Sequence, residues 1–495
     1  MKRSWAIPAW AAALILLMGG TGGPEVVLAE EQPRAETPSA TPGAGYPPAP
    51  GGMIRRGEQG IEGTSLEDLL LEKGVLTMDD WIRIKAEEER RVSERAIVAE
   101  FTGSPRWYER IMMYGYGMFR YNPILSQTAP LTDYHDASIG ANTGFFFRRI
   151  RWVITGQVSD HVAFFIQPDL ATNIAGNPYV LSMRDAYGDW MFDKAREFRL
   201  RVGLQRVACS FDNWQASRVR MAIDRADATN SCQQSERDTG ISFMWTPKSV
   251  QYRYKQMLDY MYGPGDYGVF WIGVYNGQGA NAGEANADKH VGMRLSWPLE
   301  LPGGRLMEVG MNAMHGMFNV SMGTPAAGTT LFSLNGNCGG QSVCTQARNY
   351  LDQRLNWYVY YPPQPWGFIG EFSMGKGPER GEKGIVGVRS LSGGYAQLHY
   401  QWRYSDTALA NFYTRWQIYH GGIKFLTGAP SDRGMQEVET GIAWQPDPQW
   451  EFTVAYSYMH RPNTSLTNLS TASMPGSQFI ADANLIRMQV IWFWN

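Results

Sequence analysis

The sequence predicts an all-β fold, a transmembrane antiparallel β-barrel of about 16 strands preceded by a short N-terminal periplasmic helical module. Three observations carry that expectation: strand-period alternation that ends in aromatic residues, an export signal, and the lack of any later apolar run long enough for a spanning helix. The alternation is plainest in the last eleven residues, LIRMQVIWFWN, where Ile486, Met488, Val490, Trp492 and Trp494 form one apolar series and the intervening series contains Arg487 and Gln489. A period of two sends these series to opposite faces of a strand. An open sheet edge in hydrocarbon leaves backbone polar groups unpaired, so an apolar outer face in lipid calls for a closed cylinder.

Residues 1–29 read as a signal peptide. Lys2 and Arg3 precede the apolar run WAIPAWAAALILLM, and Val27-Leu28-Ala29 supplies the small residues of a cleavage site. Residues 30–60 are rich in Pro, Gly, Ala and charge without a sustained apolar pattern, the composition of a flexible periplasmic spacer. Residues 61–104 form a helical or short coiled-coil module. Thr64 or Ser65 caps a first helix containing Leu66, Leu69 and Leu70, with Glu67 and Asp68 near its positive end, and Gly74 ends it. Thr77, with Asp80 three residues on, starts a second helix striped by Trp81, Ile82 and Ile84.

Residues 105–495 are assigned to the barrel. Their alternation is clear in RLNWYVYY, where Leu355, Trp357, Val359 and Tyr361 oppose Arg354 and Asn356. In YAQLHYQWRY, Ala396, Leu398, Tyr400, Trp402 and Tyr404 oppose Tyr395, Gln397, His399, Gln401 and Arg403. In WEFTVAYSYM, Trp450, Phe452, Val454, Tyr456 and Tyr458 oppose Glu451, Thr453 and Ser457. VGMRLSWP and VETGIAWQ repeat the pattern. A soluble sandwich alternates too, but aromatics that repeatedly end the apolar series favour the girdles of a membrane barrel. The composition agrees, with 54 Gly, 25 Tyr, 18 Trp and only 19% charged residues.

Long polar stretches follow Tyr275, Ser321 and Pro462, whereas PDPQW makes a short turn, so long external loops and short periplasmic turns are expected to alternate. Charge is uneven. Residues 1–29 carry +1 and residues 30–104 hold 9 basic and 15 acidic groups, which leaves +3 for residues 105–495 of a chain whose net charge is −2. Cys209, Cys232, Cys338 and Cys344 all lie in the exported portion, where disulfides persist. Three connectivities are open, and short loop closure favours Cys209 with Cys232 and Cys338 with Cys344. No CxxC, CxxCH or compact His/Cys cluster accompanies them, so neither metal nor cofactor is expected.

Three local anchors, SLEDLLLEKGVLTMDDWIRIK, FFFRRIRWVITGQVSDHVAFFIQPDL, and REFRLRVGLQRVACSFDNW followed by YGVFWIGVYNGQG, resemble the Gram-negative phosphate-selective porin O/P family. The resemblance covers most of the mature chain through degenerate motifs. It implies a 16-stranded channel that assembles as a trimer, with long loops folded toward a constriction and basic residues selecting anions. Asn495 departs from the aromatic carboxyl terminus common in outer-membrane proteins, although Trp494 lies one residue earlier.

For a pore the candidate residues are cations that share a strand face, because close-set positive groups offset the dehydration of an anion. Arg149 and Arg151 share a face of RRIRW, and Arg199 and Arg201 share a face of REFRLRVG. Pointing them to lipid would cost roughly 2–4 kcal/mol each near the midplane, so they are expected to face the lumen. Arg148 and Arg196 are expected at a polar rim or in local pairs. Arg206, Arg218 and Arg220 add charge around the Cys209 to Cys232 segment, which can fold inward, and Asp212, Asp224 and Asp227 are placed to neutralise them. Glu371, Glu439 and Glu451 are the expected lumen partners of the cations. Every wide barrel needs polar lumen residues whatever it transports, so each arginine also has a purely structural reading.

The dispersed carboxylates offer no glycosidase pair, and no serine elbow or phosphate-cradling loop occurs, so no enzyme is expected. The expected role is a porin in the Gram-negative outer membrane, passing small anionic or polar solutes, phosphate among them, by passive diffusion. Its partners would be those solutes, outer-membrane lipid and two further copies in a homotrimer, with periplasmic or peptidoglycan contact through residues 61–104 and no nucleic acid. The alternative is a barrel scaffold or adhesion protein, including a sheath around a separate electron-transfer partner.

Overall fold

The computed structural model describes residues 107–128, 131, 139, 144–174, 177–260, 262–320, 348–380, 386–405, 407–424, 434–462 and 480–494. The signal peptide, the spacer and the helical module of residues 61–104 lie outside the described residues, as do Cys338, Cys344 and Asn495.

Strands β1 (Ile111–Tyr121) and β2 (Ile124–Gln127) are followed by β3 (Phe145–Gln157), β4 (Val162–Ile174), β5 (Asn177–Met191), β6 (Phe198–Arg206) and β7 (Arg237–Trp245). The circuit continues through β8 (Phe270–Tyr275), β9 (His290–Leu301), β10 (Arg305–Val320), β11 (Arg348–Tyr361) and β12 (Trp366–Arg380). It ends with β13 (Val386–Arg403), β14 (Leu409–His420), β15 (Met435–Asp447), β16 (Trp450–Pro462) and β17 (Ile480–Trp494). From β3 onward each strand pairs antiparallel with the next, and β17 returns to β1 and β2.

β1 and β2 occupy one place in the wall. β17 pairs with β1 from Gly115↔Trp494 to Tyr121↔Met488, then with β2 at Leu485↔Ile124 and Ala483↔Gln127. Pro123 breaks the strand because it has no N–H to give the ladder, yet its carbonyl still accepts from Ile486 N at 3.0 Å. The 17 segments therefore close as 16 strand positions.

The two faces follow the alternation read from the sequence. On β16, Trp450, Phe452, Val454, Tyr456 and Tyr458 are exposed, while Glu451, Thr453, Ala455, Ser457 and Met459 are buried. On β17, Arg487, Gln489 and Ile491 are buried inside. A closed wall packs its rings flat on the outer surface. The Trp492 ring lies 2.1 Å from where a Cβ on Gly117 would sit, and the Trp494 ring 2.7 Å from that of Gly115. Any side chain at Gly117 would push the closing strand away.

Two features depart from simple alternation. Phe119 pairs with Phe147 but Met118 pairs with Arg149, so Arg148 is the extra residue of a β-bulge. Arg148 lies half-buried beside Arg149 near the start of β3, with its Nε buried and without a hydrogen-bond partner among the described residues. The connection between β7 and β8 falls at the end of the short turns, yet it carries a helix, α3 (Lys248–Tyr260), whose Val250, Tyr254 and Met257 are buried. The expected alternation of short turns and long loops fails there.

Gly117→Val should reduce the yield of folded barrel several-fold, since overpacking of about 1–3 kcal/mol falls on the closing seam. Heat-modifiable electrophoretic mobility after refolding measures it, and a wild-type yield would show that Trp492 does not fix the seam.

Candidate functional site

Strand parity sends polar side chains inward, and the chain between β6 and β7 follows them. From Val207 to Arg237, only Ala216, Asp224, Asn230 and Ser235 are less than fully buried among the described side chains. Two short turns of helix shape this segment: α1 (Phe211–Trp214), capped by Ser210 Oγ accepting from Asn213 N at 3.0 Å, and α2 (Asp227–Asn230). Cys209 and Cys232 are joined by a disulfide with a Cα to Cα distance of 6.1 Å. Both sulfurs pack near Met314 beside Trp214, Trp271 and Tyr275.

The segment reaches the far wall. The Phe211 and Asp212 amides donate to Glu371 at 2.6 and 3.2 Å, and Trp214 Nε1 donates to Asn312 at 3.1 Å. Ile223 N donates to Glu439 at 3.0 Å and Asp227 N to Gln417 at 2.8 Å. Asp224 accepts from Arg120 at 2.8 Å and is paired with Arg487, while Asp227 accepts from Arg461 at 3.0 Å. On the side of the short turns, Val250, Tyr254 and Met257 of α3 join Phe211, Tyr358, Tyr360 and Tyr395 in one apolar cluster. Gln215 Nε2 donates to the Tyr262 carbonyl at 3.0 Å, linking the two inward pieces.

The seven candidate arginines separate by their partners. Arg151 is met by Asp169 at 2.8 Å and Tyr116 at 3.1 Å. Arg201 holds both oxygens of Asp189, at 2.7 and 2.9 Å, and lies 3.7 Å over the Tyr187 ring. Arg199 donates to Asp266 at 2.8 Å and to Thr246 at 3.0 Å, near the short-turn end. Arg206 donates to the carbonyls of Asn213 and Trp214, which fastens the root of the inward segment.

The remaining three are under-satisfied. Arg149 is 3% exposed, has only Met118 Sδ at 3.5 Å as a hydrogen-bond partner among the described residues, and leaves Nε without one. No carboxylate pairs with it among the described residues. Arg218 lies 5.4 Å over the Tyr114 ring with Nη1 unpartnered. Burial pulls its guanidinium below the ordinary arginine range. Arg220 donates to the Ala222 and Ile223 carbonyls, while its Nη1 stands 3.9 Å from Asp212 without a hydrogen bond.

The acids are deployed differently from the expectation. Asp224 and Asp227 meet arginines of the wall rather than Arg206, Arg218 and Arg220, and of the three acids Asp212 alone pairs with one of them, Arg220, at 3.9 Å among the described residues. Glu439 pairs with Arg487 at 3.2 Å, but Glu371 is taken by amides and Asn356, and Glu451 by Gln445 and Thr453. The inward cations Arg120, Arg184, Arg237, Arg294, Arg354, Arg415, Arg461 and Lys424 were not among the candidates. Parity within GMFRY and NFYTRWQ would have marked Arg120 and Arg415, since both lie on the series opposite the exposed one.

Glu236 anchors the end of the segment, accepting from Arg225 at 2.7 Å and from Arg237 at 2.5 Å. Burial alone would raise its carboxyl, but Arg225 and Arg237 outweigh that and hold it well below the usual carboxylate range. A depressed folded value means that its stabilisation is fully present above the ordinary carboxylate value and is lost as pH falls toward the folded one. Glu236→Gln should therefore destabilise the barrel by about 3 kcal/mol at pH 7, the scale for breaking a buried pair. The gap from wild type should narrow as pH drops below about 4.5. Denaturant midpoints at several pH values read this, and a gap that does not change with pH would refute the pairing.

Residues 132–492 match the family described as phosphate-selective porin O and P. No curated protein matches the sequence. Similar solved structures include the outer membrane channel DcaP of Acinetobacter baumannii, 11% identical over 78% of this chain and 97% of that one, with a TM-score of 0.44. Another is OprB of Pseudomonas putida, 7% identical over 78% of this chain and 94% of that one, with a TM-score of 0.45. A third is the anion-selective porin from Comamonas acidovorans, 9% identical over 78% of this chain and 99% of that one, with a TM-score of 0.40. With the family match running through nearly the whole barrel, the chain belongs to the phosphate-selective porin O and P family.

Proposed function

We propose that this outer-membrane porin passes small anionic or polar solutes by diffusion, inorganic phosphate among them, and that it works as a homotrimer. Family and fold point to a channel rather than an enzyme. The observation that supports anion preference is Arg149, a buried guanidinium inside the barrel with no carboxylate partner among the described residues. It lies within the field of Arg148, Arg151 and Arg220. Leaving such a charge unanswered costs several kcal/mol, and a passing anion supplies the missing partner. Arg218 extends the same surplus along the inward segment, whereas Arg151, Arg199 and Arg201 are already answered by acids and Arg220 more loosely by Asp212. Weak occupancy suits conduction, because the solute must also leave.

The tight filling of the lumen by residues 207–236 favours a second reading, in which the barrel is chiefly a scaffold for a partner. A planar-bilayer recording in a salt gradient separates the two. The porin reading expects conductance with an anion-directed reversal potential from the purified protein alone, and the scaffold reading expects none. Arg149→Gln and Arg218→Gln should each lower the anion to cation permeability ratio about fivefold, the equivalent of about 1 kcal/mol for one charge at 4 Å in water. Arg149→Lys should recover most of it. A cation-directed potential in the wild type, or ratios unmoved in both variants, would sink the anion mechanism.

A further inference from the structure

Below the inward segment, one strip of the lumen wall is polar without being paired. β13 ends at the short turn to β14, and its last inward positions are Gln397, His399 and Gln401, opposite in parity to the exposed Leu398 and Trp402. Arg403 follows at the rim and is exposed. Gln397 Nε2, both ring nitrogens of His399 and Gln401 Nε2 are buried without a hydrogen-bond partner among the described residues. Across the sheet on β14, Gln397 faces Arg415 and Gln401 faces Asn411. Asn411 Nδ2 donates to Tyr262 Oη at 2.7 Å, while its Oδ1 has no partner among the described residues. The His399 ring lies 1.9 Å from where a Cβ on Gly367 would sit, so it rests on the β12 wall and does not cross the lumen.

A buried polar group left without a partner costs about 1–3 kcal/mol, so a row of them on one strand needs water or a solute to meet it. The adjoining part of the lumen is filled with apolar side chains instead. There Val250, Tyr254 and Met257 of α3 pack with Phe211, Leu306 and Tyr358 into one block. At the upper end of the polar row a cavity of about 10 Å³, room for a single water, lies between the inward segment and the wall. Asp212, Gln215, Arg220, Tyr262, Gln397 and Arg415 are among its lining residues. Besides Gln397, two of them keep a buried atom without a hydrogen-bond partner among the described residues, Arg220 Nη1 and Asp212 Oδ1. The cavity therefore joins a cation of the inward segment to the head of the row.

We propose that the solute path leaves the arginines through this cavity and descends along β13, where Gln397, His399 and Gln401 exchange hydrogen bonds with a small hydrated anion on its way to the periplasmic mouth at Arg403. Amides and an imidazole hold an anion less tightly than guanidinium groups do, which is what release requires. The cavity, one water wide, is the narrowest point of the route, and the row below it is the exit. The inference rests on the porin reading and names the lower half of its path. Arg149 and Arg218 then favour the sign of the solute's charge, and the β13 row governs how readily it leaves.

The test is single-channel recording of the full-length protein in chloride, with thiol modification. Gln397→Cys and Gln401→Cys should each be blocked by a sulfonate-bearing methanethiosulfonate reagent, relative to wild type treated alike, whereas Leu306→Cys in the apolar block should stay open. Gln397→Met, which keeps the volume and removes the hydrogen bonds, should lower conductance about fivefold, the equivalent of about 1 kcal/mol for one hydrogen bond. On a dry wall the same change would leave conductance alone and raise the denaturant midpoint, because it removes an unmet polar group. Either cysteine variant of β13 left open by the reagent, or Gln397→Met at wild-type conductance, would overturn the route and leave the porin reading standing. A wild type that conducts nothing would sink both. Heat-modifiable mobility of each variant confirms that the barrel has closed before recordings are compared.

Discussion

The whole structure depends on one constraint: a sheet in hydrocarbon cannot keep an unpaired edge, so β17 must find β1. The seam from Gly115↔Trp494 to Tyr121↔Met488 meets it, and the side chains there are chosen to permit it. Glycines at 115 and 117 let two tryptophan rings lie flat against the wall. Closure then decides the fate of every other polar group. With the outer face committed to Trp, Phe, Val and Leu, the arginines and carboxylates of alternate positions have nowhere to go but inward. A barrel of this width gathers them in large numbers.

Those inward charges explain why the segment of residues 207–236 is built as it is. A guanidinium confined in the lumen is costly unless a carboxylate or carbonyl meets it. Asp224 answers Arg120 and Arg487, Asp227 answers Arg461, Glu236 answers Arg225 and Arg237, and the Asn213 and Trp214 carbonyls answer Arg206. The segment also spends its own amides on Glu371 and Glu439, two wall carboxylates. It thus acts as counter-ion for the far wall as much as a constriction. The consequence for selectivity is that the count of lumen arginines says little. What matters is the remainder after pairing, and among the seven candidate arginines that remainder is largest at Arg149 and Arg218, for which no carboxylate partner is found among the described residues.

The wall was legible in the sequence because lipid enforces a local rule. The series in residues 354–361, 395–404, 450–458 and 486–494 lie on the faces that period two assigns. The Cys209 to Cys232 disulfide is the pairing that loop closure favoured. Parity fails where one residue is inserted, and the bulge at Arg148 shows how: it keeps Arg149 and Arg151 inward while turning Phe145 and Phe147 outward, although all four share sequence parity. Helix α3 was not legible, since its stripe of Val250, Tyr254 and Met257 packs on a lumen that the strands alone do not reveal. Least legible were the ion pairs. Asp227 and Arg461 lie 234 residues apart, and only the folded path of the inward segment brings them together.

The same pairings bear on how a solute would move on the proposed reading. Swinging residues 207–236 out of the lumen would break the bonds to Glu371, Glu439, Gln417, Arg120, Arg487 and Arg461 together, and the disulfide would still tether both ends of the segment. It would also strip α3 of its contact with Phe211. Each broken buried pair costs about 3–5 kcal/mol, so a wholesale swing is far too rare to carry flux. Small rearrangements beside the under-satisfied arginines break nothing of that kind. Arg149 and Arg218 are held by a thioether and by an aromatic face, contacts that a guanidinium can leave for an anion at little cost. The inward segment is then a fixed wall of the path, and the side chains that move are those whose charges the fold leaves unanswered.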